Sequence, residues 1–110
     1  MDITPKKDGE NAIACIKGRL DALSAPEFEK ALLGLIDSGE HTLILDFSDL
    51  DYISSAGLRS ILVVAKRMRS EKGALSIATL KEEVKKVFDM SGFSSILPVF
   101  DTVEAATAKA

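Results

Sequence analysis

Short apolar runs alternate along this chain with stretches whose apolar residues recur at helical spacing. Glycine, proline or a small polar residue marks each change of period. A strand that feeds a helix and then another strand can close a sheet only by a crossover, which pairs the strands in parallel with a right-handed connection. The pattern predicts a weak edge strand over residues 2–7, a polar turn over 7–11, and a strand over 12–17 closed by Gly18. Ser24, Pro26 and Glu27 carry the signs of a capped helix start, a capping box with proline in the first turn. Phe28, Leu32, Leu35 and Ile36 form that helix's buried stripe, and Gly39 ends it. Residues 42–47 are apolar on both faces, as a central strand requires. A loop over 48–53 then leads to a second helix striped by Leu58, Ile61, Leu62, Ala65 and Met68, with Gly73 as its terminator. Next come a strand over Ala74–Ala78 and a helix over 81–90. Val84, Val87 and Phe88 turn inward there, with Leu80 packing just before them. After Gly92, residues 96–100 read as a strand, and Pro98 confines it to an edge. Asp101 and Glu104 begin a last short helix running through Ala108. The order is β-β-α-β-α-β-α-β-α. This predicts one α/β domain over residues 1–110, with a mostly parallel central sheet and helices packed on it.

At 110 residues, with 46% hydrophobic and 28% charged residues, the chain has the length and composition of one folded domain. Its net charge of −3 leaves no basic excess to neutralise phosphates, which argues against a direct nucleic-acid partner. The single cysteine, Cys15, has no partner for a disulfide, and its apolar setting reads as core. The first residues lack the apolar stretch of a signal peptide. No run approaches the roughly 20 apolar residues that span a bilayer. The expectation is a cytoplasmic protein with no membrane partner.

Signals of catalysis are absent from the sequence. It contains neither a phosphate loop nor a G-x-G-x-x-G turn. His41 is the one histidine and falls in a turn, so no metal is expected. Asp46, Asp49 and Asp51 surround the end of the central strand, a trio that fits a phosphoacceptor pocket or a metal site, or short acids that stabilise turns and helix starts. No nucleophile–base pair is visible, and neither enzyme activity nor a cofactor is expected.

The informative stretch is residues 49–59, DLDYISSAGLR. It sets two adjacent serines where a central strand gives way to a helix, the edge at which open α/β sheets meet ligands and partners. A hydroxyl there faces the positive end of the helix, so it suits an N-cap and equally a phosphate. Gly57, in the first turn, costs roughly 1 kcal/mol of helix propensity relative to alanine. Its benefit is close approach by another backbone or a bulky ligand. With Ala56 it makes a low ledge beside Ser54 and Ser55. The helix beyond carries Arg59, Lys66, Arg67 and Arg69 outside its apolar stripe, interspersed with Val63 and Val64. That pattern fits a solvated basic face or a docking surface for an acidic partner.

DLDYISSAGLR resembles the signature of the STAS domain, shared by sulfate transporters and anti-sigma-factor antagonists. Gly18-Arg19-Leu20-Asp21 is similar to the family's G-x-L-D. Residues 43–47 followed by Ser48-Asp49-Leu50 resemble its central strand, and Val87-Phe88-Asp89-Met90-Ser91-Gly92-Phe93 resembles its third helix and the following turn. The resemblance implies a free-standing antagonist that binds an anti-sigma factor, itself a serine kinase, and so releases a sigma factor. It places the phosphorylated serine at Ser55, ahead of Ser54 as the competing acceptor, and a serine phosphatase reverses the step. Asp21, Ser54, Ser55, Ala56, Gly57 and Arg59 are then the partner-binding residues. The chain departs from the family in two places. Many antagonists have an aspartate where Ser54 stands and a second hydroxyl residue where Ala56 stands. The alternative the resemblance carries is a partner-switching module outside sigma control, or one with weak nucleotide binding.

Overall fold

The computed structural model describes residues 1–109. Five strands form one sheet in the order β1-β2-β3-β4-β5. They are β1 (Asp2–Asp8), β2 (Asn11–Leu20), β3 (Thr42–Ile53), β4 (Ala74–Ala78) and β5 (Val99–Phe100). β1 pairs antiparallel with β2, and every other pair is parallel. The helices are α1 (Ala25–Asp37), α2 (Ser55–Ser70), α3 (Glu82–Ser91) and α4 (Val103–Lys109). The mixed α/β order expected from the alternation is the order found.

Side-chain alternation on the strands decides where the helices sit. Ala12, Ala14 and Ile16 of β2 join Leu43, Leu45 and Phe47 of β3 on one face, in the main core. That face receives Phe28 and Leu32 of α1, Ile61 and Val64 of α2, and Val84 and Phe88 of α3. Phe88 packs edge-on against Phe47 and Phe93, with ring centroids 6.3 and 5.7 Å apart, the geometry that aromatic quadrupoles favour. The opposite face is thinner. There Ile13, Ile44 and Ala78 meet Ala106 of α4. β3 is thus apolar on both faces because it is covered on both. Cys15 lies half-buried on the thin face beside Asp46. Burial, then the neighbouring carboxylate, pushes its thiol pKa up.

Several local expectations are corrected. Residues 48–53 are strand rather than loop, because β2 does not stop at Gly18. It bulges there, with Gly18 at φ +111°, and continues to Leu20. The extension gives β3 new partners: Lys17 with Asp49, Gly18 with Leu50, Arg19 with Tyr52 and Leu20 with Ile53. The capping box before α1 does not form. Ser24 makes no cap bond to the helix, and its hydroxyl serves the preceding turn instead. The last strand keeps only Val99–Phe100: Phe93–Ser95 winds into a 3-10 turn after the left-handed Gly92, and the N–H groups of Ile96 and Leu97 donate back to the Phe93 carbonyl instead of to a sheet neighbour. Val64 is core, not part of a surface patch.

Candidate functional site

The β2–β3 extension carries two loops to the same end of the sheet. Leu20 and Ile53 are register partners, so the turn after β2 and the start of α2 emerge side by side. The Ser54 N–H donates to the Leu20 carbonyl at 3.0 Å and ties them together. Gly57 completes the joint. It is buried, and a Cβ built on it would lie 2.5 Å from the Leu20 carbonyl oxygen and 2.8 Å from Ile53 Cγ1. The close approach that glycine permits is therefore by the chain's own backbone. Gly57 positions the helix and presents no surface of its own.

The two serines differ. Ser54 has extended backbone angles, is half-buried, and its Oγ accepts the Gly57 N–H at 3.3 Å. It is the N-cap of α2. Serine and aspartate cap almost equally well, so Ser54 does at this position what an aspartate would do. Ser55 is the first helical residue and is exposed. No side-chain hydrogen bond engages its Oγ among the described residues. Arg59 is exposed one turn further along, and no carboxylate lies in the first turn of α2.

Asp21 builds the neighbouring turn. Its Oδ1 accepts the N–H groups of Leu23 at 3.1 Å and Ser24 at 3.2 Å. Ser24 Oγ in turn accepts the Asp21 N–H at 3.0 Å and donates to the Arg19 carbonyl at 2.7 Å. These bonds, the Ser24 N–H first among them, hold the Asp21 carboxyl below the usual carboxylate range. A depressed carboxyl pKa favours the folded turn above the ordinary value of about 3.9, and the benefit disappears as pH falls through the folded value. An NMR titration of the Asp21 carboxyl carbon is expected to give a midpoint below that value. The Leu23 and Ser24 amide resonances should move with it. A midpoint at or above the ordinary value would mean that the turn is not held by the carboxylate.

Sequence reasoning missed three residues of this edge. Leu23 projects from the pinned turn with 93% of its surface exposed. The Arg19 guanidinium lies 4.1 Å from the centre of the exposed Tyr52 ring, a cation–π geometry, and reaches Asp21 at 3.7 Å. An apolar residue inside a polar turn was the one available signal for Leu23. Arg19 and Tyr52 gave none, because their pairing depends on the bulged register. The three aspartates do not converge. Asp46 accepts the Ser48 N–H, and Asp51 pairs with Lys81, which lowers the carboxyl pKa and raises that of the ammonium. No cluster of three metal-ligating side chains occurs among the described residues. No helix among them is long and apolar enough to cross a membrane.

A serine-bearing helix start, locked to the tip of a bulged strand and flanked by a G-x-L-D turn, is the arrangement the sequence signature encodes. The sequence matches the STAS domain family over residues 2–106. The chain belongs to the STAS domain family. It is 44% identical over 108 residues to BtrV of Bordetella bronchiseptica, a protein assigned as an anti-sigma factor antagonist, covering 98% of this chain and 93% of that one. A crystal structure of an assigned anti-sigma factor antagonist from Thermotoga maritima superposes with a TM-score of 0.92 at 22% identity, covering 97% of this chain and 92% of that one. The Bacillus cell-fate determinant SpoIIAA, solved in its phosphorylated form, superposes with a TM-score of 0.73 at 20% identity over 98% of each chain. Within this STAS chain, the residues of the signature are those that join α2 to the β2–β3 extension.

Proposed function

We propose that this STAS domain is an anti-sigma factor antagonist controlled by phosphorylation of Ser55. Unphosphorylated, it binds an anti-sigma factor that is also a serine kinase, and so frees a sigma factor in the cytoplasm. The kinase transfers phosphate to Ser55 and the complex separates; a serine phosphatase restores the binding form. The observation that carries this reading is the division of labour between the serines. Ser54 is occupied as a cap, and Ser55 stands exposed at the helix start with its hydroxyl unengaged. The name of BtrV points the same way.

Phosphate adds roughly −1.5 to −2 charges at pH 7. At the first position of α2 that charge meets the positive end of the helix dipole, with Arg59 on the same helix face four residues on. The fold therefore tolerates the modification. A close-packed partner surface does not, because a dehydrated anion without a facing cation is strongly unfavourable. Asp21 acts here through the turn it holds, which exposes Leu23 three residues after Leu20, the carbonyl that Ser54 bonds.

The test is affinity capture from the native cytosol with and without ATP, followed by mass spectrometry of the serine peptide. Capture of a kinase-type anti-sigma factor is expected, with phosphate appearing on Ser55 only when ATP is present. Phosphate on Ser54 alone, or a captured partner unrelated to sigma control, would overturn the reading.

A further inference from the structure

The opposite end of α2 holds a second feature, unrelated to the serine edge. α2 has 16 residues, so at about 1.5 Å per residue its ends lie roughly 24 Å apart. Near its C-terminal end a groove of about 340 Å³ opens between α2, β4 and the segment leading into β5. Its floor is apolar: Leu62, Ala65 and Met68 of α2, Leu75 of β4, then Leu97 and Pro98. Ile96, 47% exposed, extends that surface at the rim.

Lys66 and Arg69 also line the groove and are exposed. The helix disposes of its other late cation differently. Arg67 turns away to Asp37 and Glu71. Neither Lys66 nor Arg69 pairs with a carboxylate among the described residues. Two unpaired cations on an apolar trough call for a ligand with an apolar tail and an anionic head. The volume lies at the small end of ligand clefts, which run from about 300 to 1,000 Å³. That suits one chain rather than a ring system.

We propose that this groove binds a free single-chain amphiphile with an anionic head, of the medium-chain fatty-acid class. The tail lies along Leu62, Ala65 and Met68, and the carboxylate meets Lys66 and Arg69. Serine phosphorylation and groove occupancy then involve opposite ends of one helix, and both fit the molecule at once.

The experiment is an NMR titration of the full chain with hexanoate, octanoate and decanoate, each below its self-association concentration. The expected result is shifts centred on the Met68, Leu62 and Leu97 methyl groups. Affinity should rise roughly two- to fourfold per added methylene, as burial of apolar surface requires. Lys66→Glu with Arg69→Glu, two exposed changes expected to leave the amide spectrum folded, should weaken decanoate binding at least tenfold. Decyltrimethylammonium should leave the groove methyls unmoved. The proposal is overturned if decanoate leaves these methyls in place, if the cationic amphiphile binds as tightly as decanoate, or if the charge-reversed protein binds decanoate unchanged.

Discussion

Replacing Ser55 with aspartate is expected to weaken binding to the anti-sigma kinase by roughly a hundredfold, while Ser55→Ala binds at least as tightly as the unmodified protein. The estimate follows from position. Ser55 is exposed at the first turn of α2, next to Ser54, which is bonded to Leu20 at the root of the turn that carries Leu23. A partner covering both must dehydrate the Ser55 side chain. A buried charge without a counter-ion is destabilising by about 3 kcal/mol or more, and each 1.4 kcal/mol is about tenfold in affinity. Alanine removes the hydroxyl without adding charge. It stays compatible with the helix, because the cap belongs to Ser54. Titration calorimetry with the captured kinase checks both variants. Equal, tight binding by alanine and aspartate forms would remove Ser55 from the switch.

The second large effect is on stability. Gly57→Ala improves intrinsic helix propensity by about 1 kcal/mol, and at an open helical site it would stabilise. Here the new Cβ would sit 2.5 Å from the Leu20 carbonyl oxygen, a backbone atom that also accepts the Ser54 N–H. Relief requires the start of α2 to lift off β2, which costs that hydrogen bond and the packing of Ile53. Overpacking of this kind costs about 1–3 kcal/mol, and losing the hydrogen bond adds about 1 more. Net destabilisation of about 2 kcal/mol is expected, lowering Tm by roughly 8 °C or more. Thermal unfolding followed by circular dichroism decides it. A variant as stable as the parent would mean that α2 does not rest on the Leu20 carbonyl.

The two variants report on different things. Ser55 substitutions change what the surface offers and leave the fold alone. Gly57→Ala changes where the surface is held, so it should also lower partner affinity without touching the Ser55 hydroxyl.

Much of the architecture was legible because period and punctuation agreed. The apolar stripes of α1, α2 and α3 and the double-faced core strand all followed from spacing. The misread strand end has one cause. Where β2 continues past Cys15 and β3 past Asp46, their pairing is irregular, with bulges that break strict alternation. Residues such as Ser48, Asp49 and Asp51 then look like a loop, although register partners hold them in a strand. Ser24 failed for another reason. Its sequence context fits a capping box, but Arg19, five residues back, presents a carbonyl at 2.7 Å that no local pattern reveals. At the serine edge, the resemblance singled out Ser55 ahead of Ser54, and the structure leaves Ser55 exposed while Ser54 caps the helix. Leu23, Arg19 and Tyr52 emerged only once the bulged register had brought two distant segments together.

Both borders of the sheet are closed to another chain's strand. β1 presents Pro5, which lacks an N–H, among the charges of Asp2, Lys6, Lys7 and Asp8, and β5 is only two residues long. Adding a strand at either border, a mode of recognition that is nearly blind to sequence, is therefore disfavoured. Recognition has to be written in side chains on a surface the scaffold merely presents. Related modules can then keep the same frame and differ in partner by exchanging a few exposed residues.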